Sequence, residues 1–165
     1  MSAGVTTEQP VREWGGPPVT TPAKLSAMQQ DKLLAEYRAP KNRRDMSDAT
    51  SRAELKSPVC GDVIQVFVRV ANGRVADVSF KGEGCSIAMA SASLLTQAVK
   101  GRTVREAMVL SWDIDRMLDR ATPGRVNLPE LLAPLQGIAP FPARHGCALM
   151  PWQALREALE PGTPR

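Results

Sequence analysis

The chain has 165 residues, of which 43% are hydrophobic, 23% charged and only 4% aromatic, and its net charge is +4. That length carries one domain with a sizeable aliphatic core, and interspersed charges without stacking aromatics argue against nucleic acid as a partner. No apolar run approaches the ~20 residues of a membrane span, and no basic stretch leads into an apolar one as in a signal peptide, so the expectation is a cytoplasmic protein. Its three cysteines, an odd number, are then free thiols.

Residues 1–27 read as a tail, with Pro10, Pro17, Pro18 and Pro22 among glycines and no apolar period. Trp14 is its one residue suited to docking on a surface. The domain is expected over 28–160, and 161–165 reads as a short C-terminal tail. A helix is predicted from about Met28 to Arg38, with Leu33, Leu34 and Tyr37 on one face, and Pro40 ends it. Lys41-Asn42-Arg43-Arg44 follows as a basic loop, either solvated surface or a docking element.

A weak strand is predicted over about Thr50–Lys56 and two strong ones over Val63–Val70 and Arg74–Lys81. Ile64, Val66, Val68 and Val70 share one face, as do Ala76, Val78 and Phe80, and Asn72-Gly73 supplies a type I′ hairpin turn. Ser86–Lys100 reads as a helix capped by Gly101, and Thr103 with Glu106 forms a capping box for the next, which runs to about Leu118. A loop is expected over Thr122–Asn127, and a short helix over Leu128–Gln136 with Pro129 in its first turn. Residues 137–146 read as irregular, and a last helix as Pro151–Leu159. Trp112 and Trp152 sit at helical spacing among apolar residues and are expected in the core. The order is that of an α+β fold, a small antiparallel sheet packed by helices.

Each cysteine adjoins a glycine at a predicted junction: Cys60 in Pro58-Val59-Cys60-Gly61-Asp62, Cys85 in Gly82-Glu83-Gly84-Cys85-Ser86-Ile87, and Cys147 in Arg144-His145-Gly146-Cys147-Ala148-Leu149. Cys85 directly precedes a helix, whose N-terminus stabilises a thiolate, and Cys147 lies a little further ahead of the next predicted one. The hairpin leaves and returns to the same end of the sheet, so Cys60, Asp62 and Cys85 are expected together there. Three thiolates and a carboxylate suit a tetrahedral zinc ion or an iron–sulfur cluster. The spacings match no zinc-finger pattern, and the alternative is one catalytic or incidental cysteine beside two buried ones.

Beyond the tail, about residues 30–160, the chain resembles the U-type iron–sulfur scaffold family, which includes IscU, SufU and the NifU N-terminal domain. The resemblance rests on Tyr37-Arg38-Ala39-Pro40-Lys41-Asn42, the Cys60 and Cys85 motifs, the small-residue run Ala90-Ser91-Ala92-Ser93, and Cys147-Ala148-Leu149. The long stretch between Cys85 and Cys147, including Ile114–Leu131, resembles the SufU branch. That resemblance implies a SufE/NifU/IscU-like fold and a zinc ion on Cys60, Asp62, Cys85 and Cys147. It also implies a sulfurtransferase role, in which one of these cysteines takes persulfide sulfur from a SUF-type cysteine desulfurase and the protein stimulates that enzyme and serves downstream iron–sulfur assembly proteins; Cys60, in a glycine-flanked loop, is the expected acceptor. Arg144 matches an arginine of that branch, with a role in orienting the site or steadying a persulfide anion. Zinc keeps thiols deprotonated and protected, and Asp62 is its most exchangeable ligand. Two other functions fit the same residues: a scaffold for a transient [2Fe–2S] cluster on Cys60, Cys85 and Cys147, and a non-catalytic zinc-stabilised interaction module. The chain departs from the family at Gly146, where SufU proteins carry Lys and IscU proteins His, with His145 one position back. It departs also at Ser57, in place of an asparagine, and at Arg43-Arg44, where a glycine is usual.

Overall fold

The computed structural model describes residues 27–58, 61–118 and 128–160. Cys60, Trp14, the 122–127 loop and both tails therefore lie outside the described residues. Helix α1 (Ala27–Arg38) leads to strands β1 (Ser51–Lys56), β2 (Val63–Ala71) and β3 (Arg74–Glu83). They form one antiparallel sheet in the order β1-β2-β3. Helices α2 (Ser86–Val99) and α3 (Val104–Leu118) follow, then a 3₁₀ turn (Glu130–Leu132), α4 (Ala133–Gln136) and α5 (Pro142–Leu159). This is the expected α+β architecture, with α5 and α2 laid against the sheet and α1 and α3 outside them.

The hairpin turn is type I′ as read: Asn72 and Gly73 both have positive φ, 55° and 74°. Ile64, Val66 and Val68 are fully buried on the inner face of β2, and Val78 and Phe80 on that of β3. A bulge interrupts the alternation. Arg69 pairs with Asp77 and Val70 with Val75, so Ala76 is the extra residue. Val75, not Ala76, is consequently the fully buried side chain at the start of β3.

Several expectations are corrected. The first concerns the last helix, which starts at Pro142 rather than Pro151 and absorbs part of the stretch read as irregular. Pro142 fills the first-turn position where a missing N–H costs nothing. Pro151 instead lies inside α5, buried, where packing holds a helix that a proline interior weakens. Second, α1 buries Leu33 alone, while Leu34 and Tyr37 stay 39% and 43% exposed. Third, Trp152 is core as expected, but Trp112 is 50% exposed, with the Arg156 guanidinium 4.0 Å from its ring centroid. Arg156 is held there by Ser111 Oγ at 2.5 Å and Asp115 Oδ2 at 2.7 Å. In addition, the Leu128–Gln136 helix is split into the 3₁₀ turn and α4, and Pro129 caps the turn from outside.

The basic loop is neither freely solvated nor unengaged. Phe80 N–H donates to the Asn42 carbonyl and Arg44 N–H to the Phe80 carbonyl, both at 3.0 Å, so this segment runs along the outer edge of β3. Asn42 adopts φ 60° and donates through Nδ2 to Thr96 Oγ1 at 3.0 Å. Arg43 reaches the Gly82 carbonyl at 2.8 Å, and Arg44 clasps both oxygens of Asp77 at 2.9 Å.

Candidate metal centre

Lys56 pairs with Val63, and Val63 with Glu83, so the β1–β2 turn and the end of β3 share one end of the sheet. The β1–β2 turn is closed by two backbone bonds: Ser57 N–H to the Asp62 carbonyl at 2.8 Å, and Gly61 N–H to the Ser57 carbonyl at 3.0 Å. Gly61 has φ 77°, a left-handed conformation that suits glycine. Asp62 is thereby fixed at the mouth of β2, only 6% exposed.

Opposite it, β3 runs through Gly84 into Cys85, the N-cap of α2 in an extended conformation with φ −69° and ψ 166°. The Cys85 N–H donates to Asp62 Oδ2 at 3.3 Å, which satisfies one of the donors a helix start leaves open. The third member comes from α5. Cys147 lies inside that helix, not ahead of one as expected, because the helix begins five residues earlier at Pro142. Its height over α2 is set by a polar stitch one residue on: Ser91 Oγ donates to the Ala148 carbonyl at 2.7 Å and accepts from Trp152 Nε1 at 3.1 Å.

These elements bring a carboxylate oxygen of Asp62 and the sulfurs of Cys85 and Cys147 within 4.8 Å of one another. A tetrahedral zinc ion spaces its thiolate and carboxylate donors about 3.5–3.8 Å apart, so small side-chain rotations would close the set. Two soft thiolates and one hard oxygen suit zinc, and the thiolates suit iron–sulfur chemistry. The remaining sequence candidates fall around this triangle. Cys60 lies outside the described residues, in the turn bounded by Ser57 and Asp62. Arg144 is exposed and precedes Cys147 by three residues on α5, the spacing that puts two side chains on one helix face. His145 is not part of the donor triangle; its Nε2 donates to the Ala139 carbonyl at 2.8 Å, tying down the entrance to α5. Gly146 is exposed, and a Cβ there would meet nothing within 4 Å, so the position opens on space.

Sequence reasoning missed the supporting residues Ser91, Trp152 and Pro142. The run Ala90-Ser91-Ala92-Ser93 carried a signal of close helix packing, but nothing local paired Ser91 with Trp152, 61 residues away. Among the described residues no helix is long and apolar enough to cross a membrane.

Comparison with known proteins gives the family of the chain. The chain is 35% identical over 138 residues to the zinc-dependent sulfurtransferase SufU of Bacillus subtilis, covering 83% of this chain and 92% of that one. It is 34% identical over 131 residues to the iron–sulfur cluster assembly scaffold protein IscU of Streptococcus pyogenes, covering 78% and 80%. The fold superposes on a crystal structure of a NifU-like protein (N-terminal) from Brucella abortus with a TM-score of 0.70, at 20% identity over 78% of this chain and 89% of that chain. The model of the NifU-like N terminal domain matches residues 28–160, nearly the whole of the described fold, and the chain belongs to that family of iron–sulfur cluster assembly proteins.

Proposed function

We propose that this protein is a zinc-dependent sulfur acceptor that takes persulfide sulfur from a cysteine desulfurase of the SUF type and stimulates it. The observation that carries the reading is the convergence of Asp62, Cys85 and Cys147 within 4.8 Å, at the end of the sheet where the Cys60 turn is anchored. The similarity to a sulfurtransferase over 92% of its length adds support. Cys60 is two residues from Asp62, so covalent geometry keeps their Cα atoms within about 7 Å. Asp62, Cys85, Cys147 and Cys60 would be the ligands. Zinc bound there would keep the thiols deprotonated and protected from oxidation.

In the transfer, the Cys60 thiolate attacks the outer sulfur of the donor persulfide. A new S–S bond forms on Cys60, the donor's S–S bond breaks, and the donor cysteine leaves as a thiolate. Arg144 supplies a cation one helical turn from Cys147, suited to steadying the persulfide anion that results. The turn's two closing bonds hold its stem, and Gly61 there has the left-handed φ of 77°.

The test is sulfide production by a SUF-type desulfurase with and without the zinc-loaded protein, with Cys60→Ala as control. Stimulation that disappears in a folded Cys60→Ala protein supports sulfur acceptance. No stimulation, with a [2Fe–2S] spectrum appearing on addition of iron and sulfide, transfers the assignment to a scaffold. A Cys60→Ala protein that no longer folds points to a structural zinc module.

A further inference from the structure

Two glycines stand two residues apart at the end of β3, for different reasons. Gly82 has φ 155°, and a Cβ there would lie 2.2 Å from the Val63 carbonyl oxygen, so the strand pairing itself demands glycine. Gly84 has no positive φ, so its backbone conformation does not itself demand glycine. The nearest obstacles all belong to one side chain. A Cβ on Gly84 would meet Asp62 Cγ at 2.9 Å, Oδ2 at 3.1 Å and Cβ at 3.2 Å. Carbon atoms pack comfortably at about 3.5–4.0 Å. Asp62 is 6% exposed, its Oδ2 accepts the Cys85 N–H, and its carboxylate forms the triangle with Cys85 and Cys147. Rotating that short side chain would relieve the two tightest contacts, those with Cγ and Oδ2, and would carry Oδ2 away from the Cys85 N–H and from both sulfurs; the contact with Cβ would be eased by a shift of a few tenths of an ångström.

We infer that Gly84 is a positioning residue: the missing side chain seats the Asp62 carboxylate among the thiols, and Gly84 sets the site's affinity for a divalent metal through Asp62 alone. This rests on the reading of Asp62, Cys85 and Cys147 as metal ligands. Asp62 contributes one oxygen and touches the glycine directly, so the two residues form a unit that a double-mutant cycle can isolate.

The experiment is cobalt(II) titration of the full chain as wild type, Gly84→Ala, Asp62→Ala and the double variant, read from the thiolate-to-cobalt charge-transfer and d–d bands. Circular dichroism of each metal-free protein accompanies it. Gly84→Ala is expected to weaken cobalt binding about 10–100-fold and to alter the d–d bands, as loss of a ligand-orienting group does. In the Asp62→Ala background the same substitution should change affinity by less than about twofold, because the carboxylate ligand and the two nearest crowding atoms, Cγ and Oδ2, are gone and only the 3.2 Å contact with Cβ is left. A Gly84→Ala protein that misfolds while the double variant folds would support the same contact. Wild-type affinity in Gly84→Ala, a loss that repeats in full without Asp62, or misfolding of both variants would overturn the inference. A wild type without a thiolate–cobalt band, or an Asp62→Ala protein that binds like wild type, overturns the metal reading beneath it.

Discussion

Helices α2 and α3 begin in opposite ways. At the start of α3, Thr103 N–H donates to Glu106 Oε1 and Glu106 N–H donates to Thr103 Oγ1, each at 3.0 Å. The surrounding backbone is equally closed: Val104 N–H reaches the Gly73 carbonyl at 3.0 Å, and Val75 exchanges bonds with Gly101 and Arg102 at 2.8 Å. At the start of α2 the capping position is held by Cys85, whose side chain makes no cap bond. The positive end of that helix faces a thiol and the Asp62 carboxylate instead of a serine or threonine oxygen. One terminus is built for helix stability, the other for ligation. What the second loses locally is offset by burial, since most of α2, from Ala88 to Val99, is buried against α1, α5 and the sheet.

The sharpest way to break this contrast is Cys85→Ser, which gives α2 a preferred cap oxygen and removes a thiolate. Cobalt affinity should fall at least about 100-fold, more than for loss of an orienting group. Denaturant unfolding of the metal-free protein should show unchanged stability or a gain of about 0.5 kcal/mol. A clear loss of metal-free stability would mean that Cys85 is there for packing.

Thr103→Ala should do the reverse. Removing one arm of the capping box is expected to cost about 1 kcal/mol in denaturant unfolding and leave cobalt affinity unchanged. If affinity falls with it, the two ends of the sheet are coupled and the contrast fails.

The smallest effect is one of pH. The Thr103 backbone N–H, aided by its hydroxyl and by Arg74 and Arg102, outweighs partial desolvation and holds the Glu106 carboxyl below its ordinary 4.5. Folding lowers this group's pKa, so the unfolded chain binds the proton more readily. Its contribution is therefore complete above that ordinary value and is lost as pH falls through the folded one. The difference in unfolding midpoint between wild type and Glu106→Gln should shrink between about pH 6 and pH 3. A difference that stays constant across that range would detach the cap from the carboxylate charge.

Elements whose signals lie within a few residues were legible in the sequence. The Asn72-Gly73 turn, β2 and β3, the Thr103–Glu106 box and the Gly101 stop, with its φ of 89°, all stand where local pattern put them. So does the meeting of Asp62 with Cys85, because a hairpin returns to its own start and β3 leads directly into α2. Three features needed long-range partners. The entry to α5 at Pro142 was hidden by two prolines that are each plausible first-turn residues, and only packing on α2 and the sheet admits Pro151 inside the helix. The basic Asn42–Arg44 segment read as either solvated surface or a docking element, because its partners within the fold, Phe80, Gly82 and Asp77, lie more than thirty residues away. Trp112 has core-like spacing, yet its outward side is covered in part by Arg156 from another helix.

The sequence by itself determined β2 and β3, the starts of α2 and α3, the hairpin that unites Asp62 with Cys85, and the kind of ligands at stake, because turn chemistry, alternation and capping act between near neighbours. Tertiary structure alone decided that Cys147 sits within a helix at the height of Cys85, that Ser91 and Trp152 fix that height, and that Gly84 leaves room for the Asp62 carboxylate. Those facts depend on contacts between segments far apart in the chain, where volume and hydrogen-bond geometry, not local preference, choose the outcome.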